Sequence, residues 1–155
     1  MVPGFCSLLV VGCSLYICIK FIYCIQSPYN MEVDMERTQF ENLEVYQLSE
    51  NLADFIWDMV SEWDNFVKFT VGNQITRAAD SIGANIAEGV GRGAYRDNRR
   101  FVKIARGSLY ETKHWLRRAF NRNLISQEQI DHLKPIIDEL SPRLNAYLKS
   151  ITKPS

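Results

Sequence analysis

Apolar side chains recur at helical spacing in four stretches of this chain, and no stretch alternates as a half-buried strand does. In Ile75 to Arg92, ITRAADSIGANIAEGVGR, the residues Ile75, Ala79, Ile82, Ile86 and Val90 fall on one stripe of an α-helix. Ala78, Gly83, Ala84 and Ala87 lie between and beside them, and side chains that small let a neighbouring helix come close. The pattern predicts a helix from about Thr70, as N-cap, to Gly89. Gly89, Gly91 and Gly93 then end the helix and turn the chain, with Gly89 expected at positive φ. These glycines follow a helix rather than open one after a strand, so they do not make a dinucleotide-binding loop.

A first helix is predicted from about Asn42 to Trp63, with Val45, Leu48, Leu52, Phe55, Ile56, Met59 and Trp63 as its stripe. Glu41, Glu44, Glu50, Asp54, Asp58 and Glu62 lie off that stripe, and their spacing fits no EF-hand loop. A short connection, Asp64 to Lys68, leads to the second helix. A third is predicted from about Tyr95 to Arg122, with Phe101, Ile104, Ala105, Ser108, Leu109, Thr112, Trp115, Leu116 and Ala119 on its apolar face. After a turn at Asn123 to Ile125, Ser126 and Gln129 form a capping box for a fourth helix. Its stripe is Ile130, Leu133, Ile137, Leu140, Leu144, Tyr147 and Ile151. Pro135 and Pro142 fall inside it; each removes a hydrogen bond and crowds the turn before it, so a kink or break is expected near one of them. Four such helices with short connections give an all-α fold, an antiparallel up-down-up-down four-helix bundle, over residues 40–151.

Residues 1–39 precede the bundle as a hydrophobic segment and a polar linker. Phe5 to Ile25, FCSLLVVGCSLYICIKFIYCI, is 21 residues long with Lys20 as its one charge, enough to span a bilayer. No Lys or Arg precedes it and no small-residue cleavage site follows, so it makes a poor secretory signal. A membrane anchor and an upstream extension from a misassigned start are the other readings. The last is preferred over Met1 as the start, because Met31 or Met35 would begin the chain just ahead of the first helix. It places the protein in the cytoplasm; an anchor would leave the bundle on the cytoplasmic side, as Lys20, Arg37 and Lys68 favour. The stripes are complete without residues 1–30, so the bundle is expected to fold without them. Cys6, Cys13, Cys18 and Cys24 all lie in this segment without C-x-x-C spacing, which argues against a metal site.

The formal charge of zero is a cancellation between parts. Residues 31–65 hold ten acidic side chains and one basic one, whereas residues 92–123 hold ten basic and two acidic. On the third helix Arg96, Arg99, Arg100, Lys103, Arg106, Tyr110, Lys113, Arg117 and Arg118 fall opposite the apolar face. They form a cationic stripe about 33 Å long at ~1.5 Å per residue, close to one turn of duplex. This is the candidate nucleic-acid-binding surface, in which phosphate contacts give affinity without sequence preference. The alternative is a structural or interaction module in which the acidic first helix of one subunit meets the basic third helix of another. Glu88, in the last turn of the second helix, opposes the helix dipole and requires a partner, for which Arg92 is the natural supplier. Glu111 and His114 make a single Glu-x-x-His, where a di-iron bundle needs two, and no metal is expected. No nucleophile–base pair or phosphate loop stands out, so no catalytic residue, cofactor or enzymatic activity is expected.

SIGANIAEGVGR at Ser81–Arg92, FVKIARGSLYE at Phe101–Glu111 and FENLEVYQLSENLA at Phe40–Ala53 together resemble the four-helix bundle family first noted in intervening sequences of 23S ribosomal RNA genes. The resemblance covers about Phe40 to Ile151, and Ser81, Asn85, Glu88, Gly89 and Arg92 are the structural residues of its first motif. A relative is the accessory variability determinant of diversity-generating retroelements. The resemblance implies a bacterial bundle that assembles as a homopentamer and binds RNA or DNA, RNA being favoured. In the retroelement relative it implies a reverse transcriptase partner as well. It implies no established enzymatic activity.

Overall fold

The structure, a computed structural model, describes residues 38–151. The hydrophobic segment at 5–25, the candidate starts Met31 and Met35, and residues 153–155 lie outside the described residues. The four apolar stripes become four helices: α1 (Glu44–Ser61), α2 (Asn73–Gly91), α3 (Tyr95–Asn121) and α4 (Gln127–Ser150). They run alternately up and down. Each packs on the next, and α4 returns against α1. Among the described residues there is no strand, and no helix is long and apolar enough to cross a membrane.

Leu52 and Ile56 of α1, Ile75, Ile82 and Ile86 of α2, Val102 and Leu109 of α3, and Leu133, Leu140 and Leu144 of α4 form the buried centre. Each such side chain stabilises the fold by roughly 1.5–3 kcal/mol relative to exposure. The α3 stripe is rotated from its expected position: Val102 is fully buried, whereas Ile104 is 41% exposed. Ala105, Leu109, Thr112 and Leu116 set the buried direction of α3, and Ile104 stands at its edge, about 100° from Ala105.

Two glycines of α2 mark where its neighbours come closest. A Cβ on Gly83 would stand 3.1 Å from the Ser49 Oγ of α1, and that buried hydroxyl donates to the Tyr46 carbonyl at 2.6 Å. Gly89, expected to end the helix at positive φ, instead lies inside α2. A Cβ there would meet Asn98 Oδ1 at 2.9 Å and Phe101 Cβ at 3.0 Å, so the approach of α3, and not backbone freedom, requires the glycine. The left-handed residue is Gly93, at φ 69°.

The entry to α2 also differs from expectation. Thr70 is not the N-cap. Asp64 is, accepting from the Val67 N–H at 3.2 Å, and a carboxylate suits a helix start. A helical turn, Asn65–Val67, leads into a π-helical turn, Lys68–Gly72, continuous with α2. Thr70 Oγ1 bonds back to the Phe66 carbonyl at 2.7 Å instead. Gly72 fits the tight packing there, since a Cβ on it would lie 2.7 Å from Val60 Cγ1.

The α3–α4 turn is a Schellman arrangement: Leu124 N–H donates to the Ala119 carbonyl at 3.0 Å and Asn123 N–H to Phe120 at 2.9 Å, with Asn123 at φ 57°. The predicted capping box is present. Ser126 Oγ accepts from Gln129 N–H at 3.2 Å and Gln129 Oε1 from Ser126 N–H at 2.8 Å. The expected break at a proline does not occur, for α4 runs unbroken through Pro135 and Pro142. Both sit at exposed positions, where the carbonyl one turn back can turn to water. Phe55 stacked on His132 (4.3 Å between centroids) and Arg143 bound to Glu44 join α4 to α1, and Glu139 of α4 also holds Arg143.

Candidate nucleic-acid interface

Arg96, Arg100, Lys103, Arg117 and Arg118 are exposed along the outer side of α3, and none of them forms a salt bridge among the described residues. Arg96 Nε donates to the Tyr95 hydroxyl at 3.0 Å, and Arg100 lies 5.9 Å from the Phe101 ring. Lys113, half-buried, stands 5.8 Å over the ring of Tyr110, which is itself 61% exposed.

The stripe leans toward α4. Arg99 Nη1 donates to the carbonyl of Leu148, in the last turn of α4, at 3.1 Å and to that of the C-cap residue Ile151 at 3.3 Å. Arg106 Nη1 reaches Asn145 Oδ1 at 3.3 Å. Of the nine predicted contact residues, Arg99 is therefore held by the fold, and Arg106 is tethered at one nitrogen. The exposed cations divide into two groups about Gly107 to Glu111: Arg96, Arg100 and Lys103 toward the α2–α3 turn, then Arg117 and Arg118, with half-buried Lys113 beside them, toward the other end. Exposed Arg92 and Arg122 extend the two groups.

Of the α2 motif residues, Gly89 and Arg92 meet α3, whereas Ser81 and Asn85 bond to the backbone of α2 itself. Ser81 Oγ donates to the Arg77 carbonyl and Asn85 Nδ2 to the Ser81 carbonyl, each at 2.6 Å. Glu88 has the partner expected of it: its Oε1 lies 2.5 Å from Arg92 Nη2 and 3.1 Å from Arg92 Nε. That guanidinium lies 4.8 Å over the Phe101 ring, which ties the end of α2 to α3.

Residues 41–146 match the family described as 23S rRNA-intervening sequence protein. The chain belongs to that family. A solved relative is a protein of unknown function from the S23 ribosomal protein family of Bacteroides thetaiotaomicron VPI-5482, determined at 1.70 Å. It is 28% identical to this chain, with a TM-score of 0.63 over 68% of this chain and 96% of that one. Comparison with curated proteins gives no match.

Beyond the family motifs, the surface carries a second feature that the apolar pattern did not reveal. Trp57, Phe66 and Phe69 are 63%, 77% and 74% exposed at the α1–α2 end of the bundle. Trp57 sits off the α1 stripe, and a tryptophan outside the buried register was the available signal. Among the described residues no group of three or more His, Cys, Asp or Glu side chains is placed to hold a metal ion, and His114 rests edge-on to Trp115 at 5.3 Å.

Proposed function

We propose that this family member is a non-enzymatic, oligomeric nucleic-acid-binding protein that acts on RNA in the cytoplasm through the basic side of α3. The observation that supports this reading is the set of exposed cations without carboxylate partners among the described residues, Arg96, Arg100 and Lys103 above all. A cation left unpaired by its own fold is free to replace the counterions of a phosphate backbone. The contact would recognise backbone rather than base, because the side chains are long, charged and spaced along a single helix. With three or four phosphates engaged per subunit, each subunit adds about two to three to the salt slope on a single strand. Repetition of the surface in an oligomer then raises affinity for long RNA by effective concentration.

The test is a mobility-shift titration of the full chain with RNA of several lengths and salt concentrations, beside the Arg96→Glu/Arg100→Glu/Lys103→Glu variant. The parent should bind longer RNA more tightly and release it as salt rises, and the variant should bind far more weakly. Equal binding by parent and folded variant overturns the reading.

A further inference from the structure

Where the lead into α1, the α2–α3 turn and the end of α4 meet, they leave an open cavity of about 480 Å³. That volume falls within the ~300–1,000 Å³ of ligand sites. Leu43, Val90 and Ile151 give it apolar walls, and Tyr95, Asn98 and Tyr147 bring it polar groups. Asn98 Nδ2 donates to the Tyr147 hydroxyl at 3.2 Å, and Arg96 Nε donates to the Tyr95 hydroxyl at 3.0 Å. Each phenol thus accepts a hydrogen bond and keeps its own proton, and neither donates that proton to an acceptor among the described residues.

The packing of Asn98 fixes this direction. Its Oδ1 is buried without a hydrogen-bond partner among the described residues, against Gly89, where a Cβ would lie 2.9 Å away. Turning the amide round would bury the amino group there instead, and an orphaned N–H is the rarer case. The amino group therefore faces Tyr147, and Tyr147 is left as a donor. The cavity also adjoins the cations proposed to hold RNA. Arg96 is bonded to Tyr95 itself, Arg99 holds the carbonyl of Ile151 on the cavity wall, and exposed Arg100 follows. No carboxylate lines the cavity among the described residues.

We infer that the Tyr95–Tyr147 cavity is a subsite for one unpaired base of the strand bound along α3, and that it favours uracil over cytosine. An unstacked base packs on apolar and aromatic side chains and is read by hydrogen bonds to its edge. Uracil carries the O4 acceptor where cytosine, a ring of the same size, carries an N4 amino donor. Two phenol donors pair with carbonyl oxygens, whereas they leave an amino group facing other donors, which costs a hydrogen bond. Gln39, at the rim, can turn either end of its amide to a base, so the discrimination falls to the phenols. The inference rests on the nucleic-acid part of the function proposed above. It adds a base contact beside a stripe that itself holds only phosphates.

The test is filter binding of the full chain to oligo(U) and oligo(C) of equal length, beside Tyr95→Phe and Tyr147→Phe, with circular dichroism confirming the fold. The parent should bind oligo(U) about three- to tenfold more tightly, the worth of one hydrogen bond. Each Phe variant keeps its ring and should lose most of that preference, with its affinity for oligo(C) unchanged. Differences in base stacking between the two oligomers contribute equally in parent and variants, so they do not imitate this loss. Should Tyr147→Phe loosen the bundle by freeing Asn98 Nδ2, Tyr95→Phe, whose hydroxyl meets exposed Arg96, decides alone. Equal affinity of the parent for the two oligomers, or a preference kept by the folded Phe variants, overturns the inference and leaves the phosphate-binding reading standing. A parent that binds neither oligomer overturns both. Arg100→Glu/Lys103→Glu should weaken the two oligomers alike, so loss of phosphate contact is separable from loss of base preference.

Discussion

Arg99 caps Leu148: the guanidinium of α3 donates at 3.1 Å to a carbonyl in the last turn of α4, and again at 3.3 Å to Ile151. A cation at that end complements the helix dipole and satisfies carbonyls that have no intrahelical donor. Arg99→Ala should therefore destabilise the bundle by about 1–2 kcal/mol. Arg100→Ala, one residue on and exposed, should stay within ~0.5 kcal/mol of the parent. Denaturant titration followed by circular dichroism separates the two, and equal loss at both positions would refute the capping role.

Gly89 and Gly91 make a second contrasting pair. A Cβ at Gly89 meets Asn98 and Phe101 at 2.9–3.0 Å, whereas a Cβ at Gly91 meets nothing within 4 Å. Gly89→Ala should cost about 1–3 kcal/mol through overpacking. Gly91→Ala should be neutral or stabilise by up to ~1 kcal/mol, since alanine is the better helix former. The same melting temperature for both variants would show that α3 can move away from α2 without cost.

The stripes through Leu52 and Ile56, Ile82 and Ile86, and Leu140 and Leu144 were legible because burial on a helix repeats at a fixed angle, and the Ser126–Gln129 cap because its chemistry is local. What escaped depended on neighbours. Gly89 has the same sequence signature whether it frees the backbone or admits α3, and only the position of Phe101 decides. Arg99 shares the outer face of α3 with Arg96 and Arg100 by angle alone, and the end of α4, some fifty residues away in sequence, captures it. The start of α2 was misplaced because Asp64 competes with Thr70 as a cap and a π turn changes the phase between them.

Tyr46 gives a dependence on alkaline pH. Burial and its hydrogen bond to Glu50 push its hydroxyl from 10.0 to about 12. The unfolded chain thus releases this proton before the folded one does. The stability associated with the neutral phenol is fully present below pH ~10 and is lost as pH rises through about 12. Relative to Tyr46→Phe, the parent should hold a constant stability difference below pH ~10 and then weaken. Urea titrations of both proteins across that range check it, and parallel curves would place the Tyr46 phenol in free exchange with solvent.

Neighbouring cations of the α3 stripe should respond to mutation in different ways. Arg96, Arg100 and Lys103 make no salt bridge among the described residues, so reversing them costs the fold little, whereas Arg99 supports α4. A set that includes Arg99→Glu would lose RNA binding partly by loosening the bundle and would not test the surface. With Arg99 kept, Arg96→Glu/Arg100→Glu/Lys103→Glu should melt within a few degrees of the parent. Its RNA affinity at low salt should fall by at least tenfold, about 1.4 kcal/mol, because three attractive charges become repulsive. The residual binding should also lose most of its salt dependence, since few counterions remain to be released. Filter binding at several salt concentrations reads both quantities. An unchanged slope in the variant would assign the phosphate contacts to other side chains.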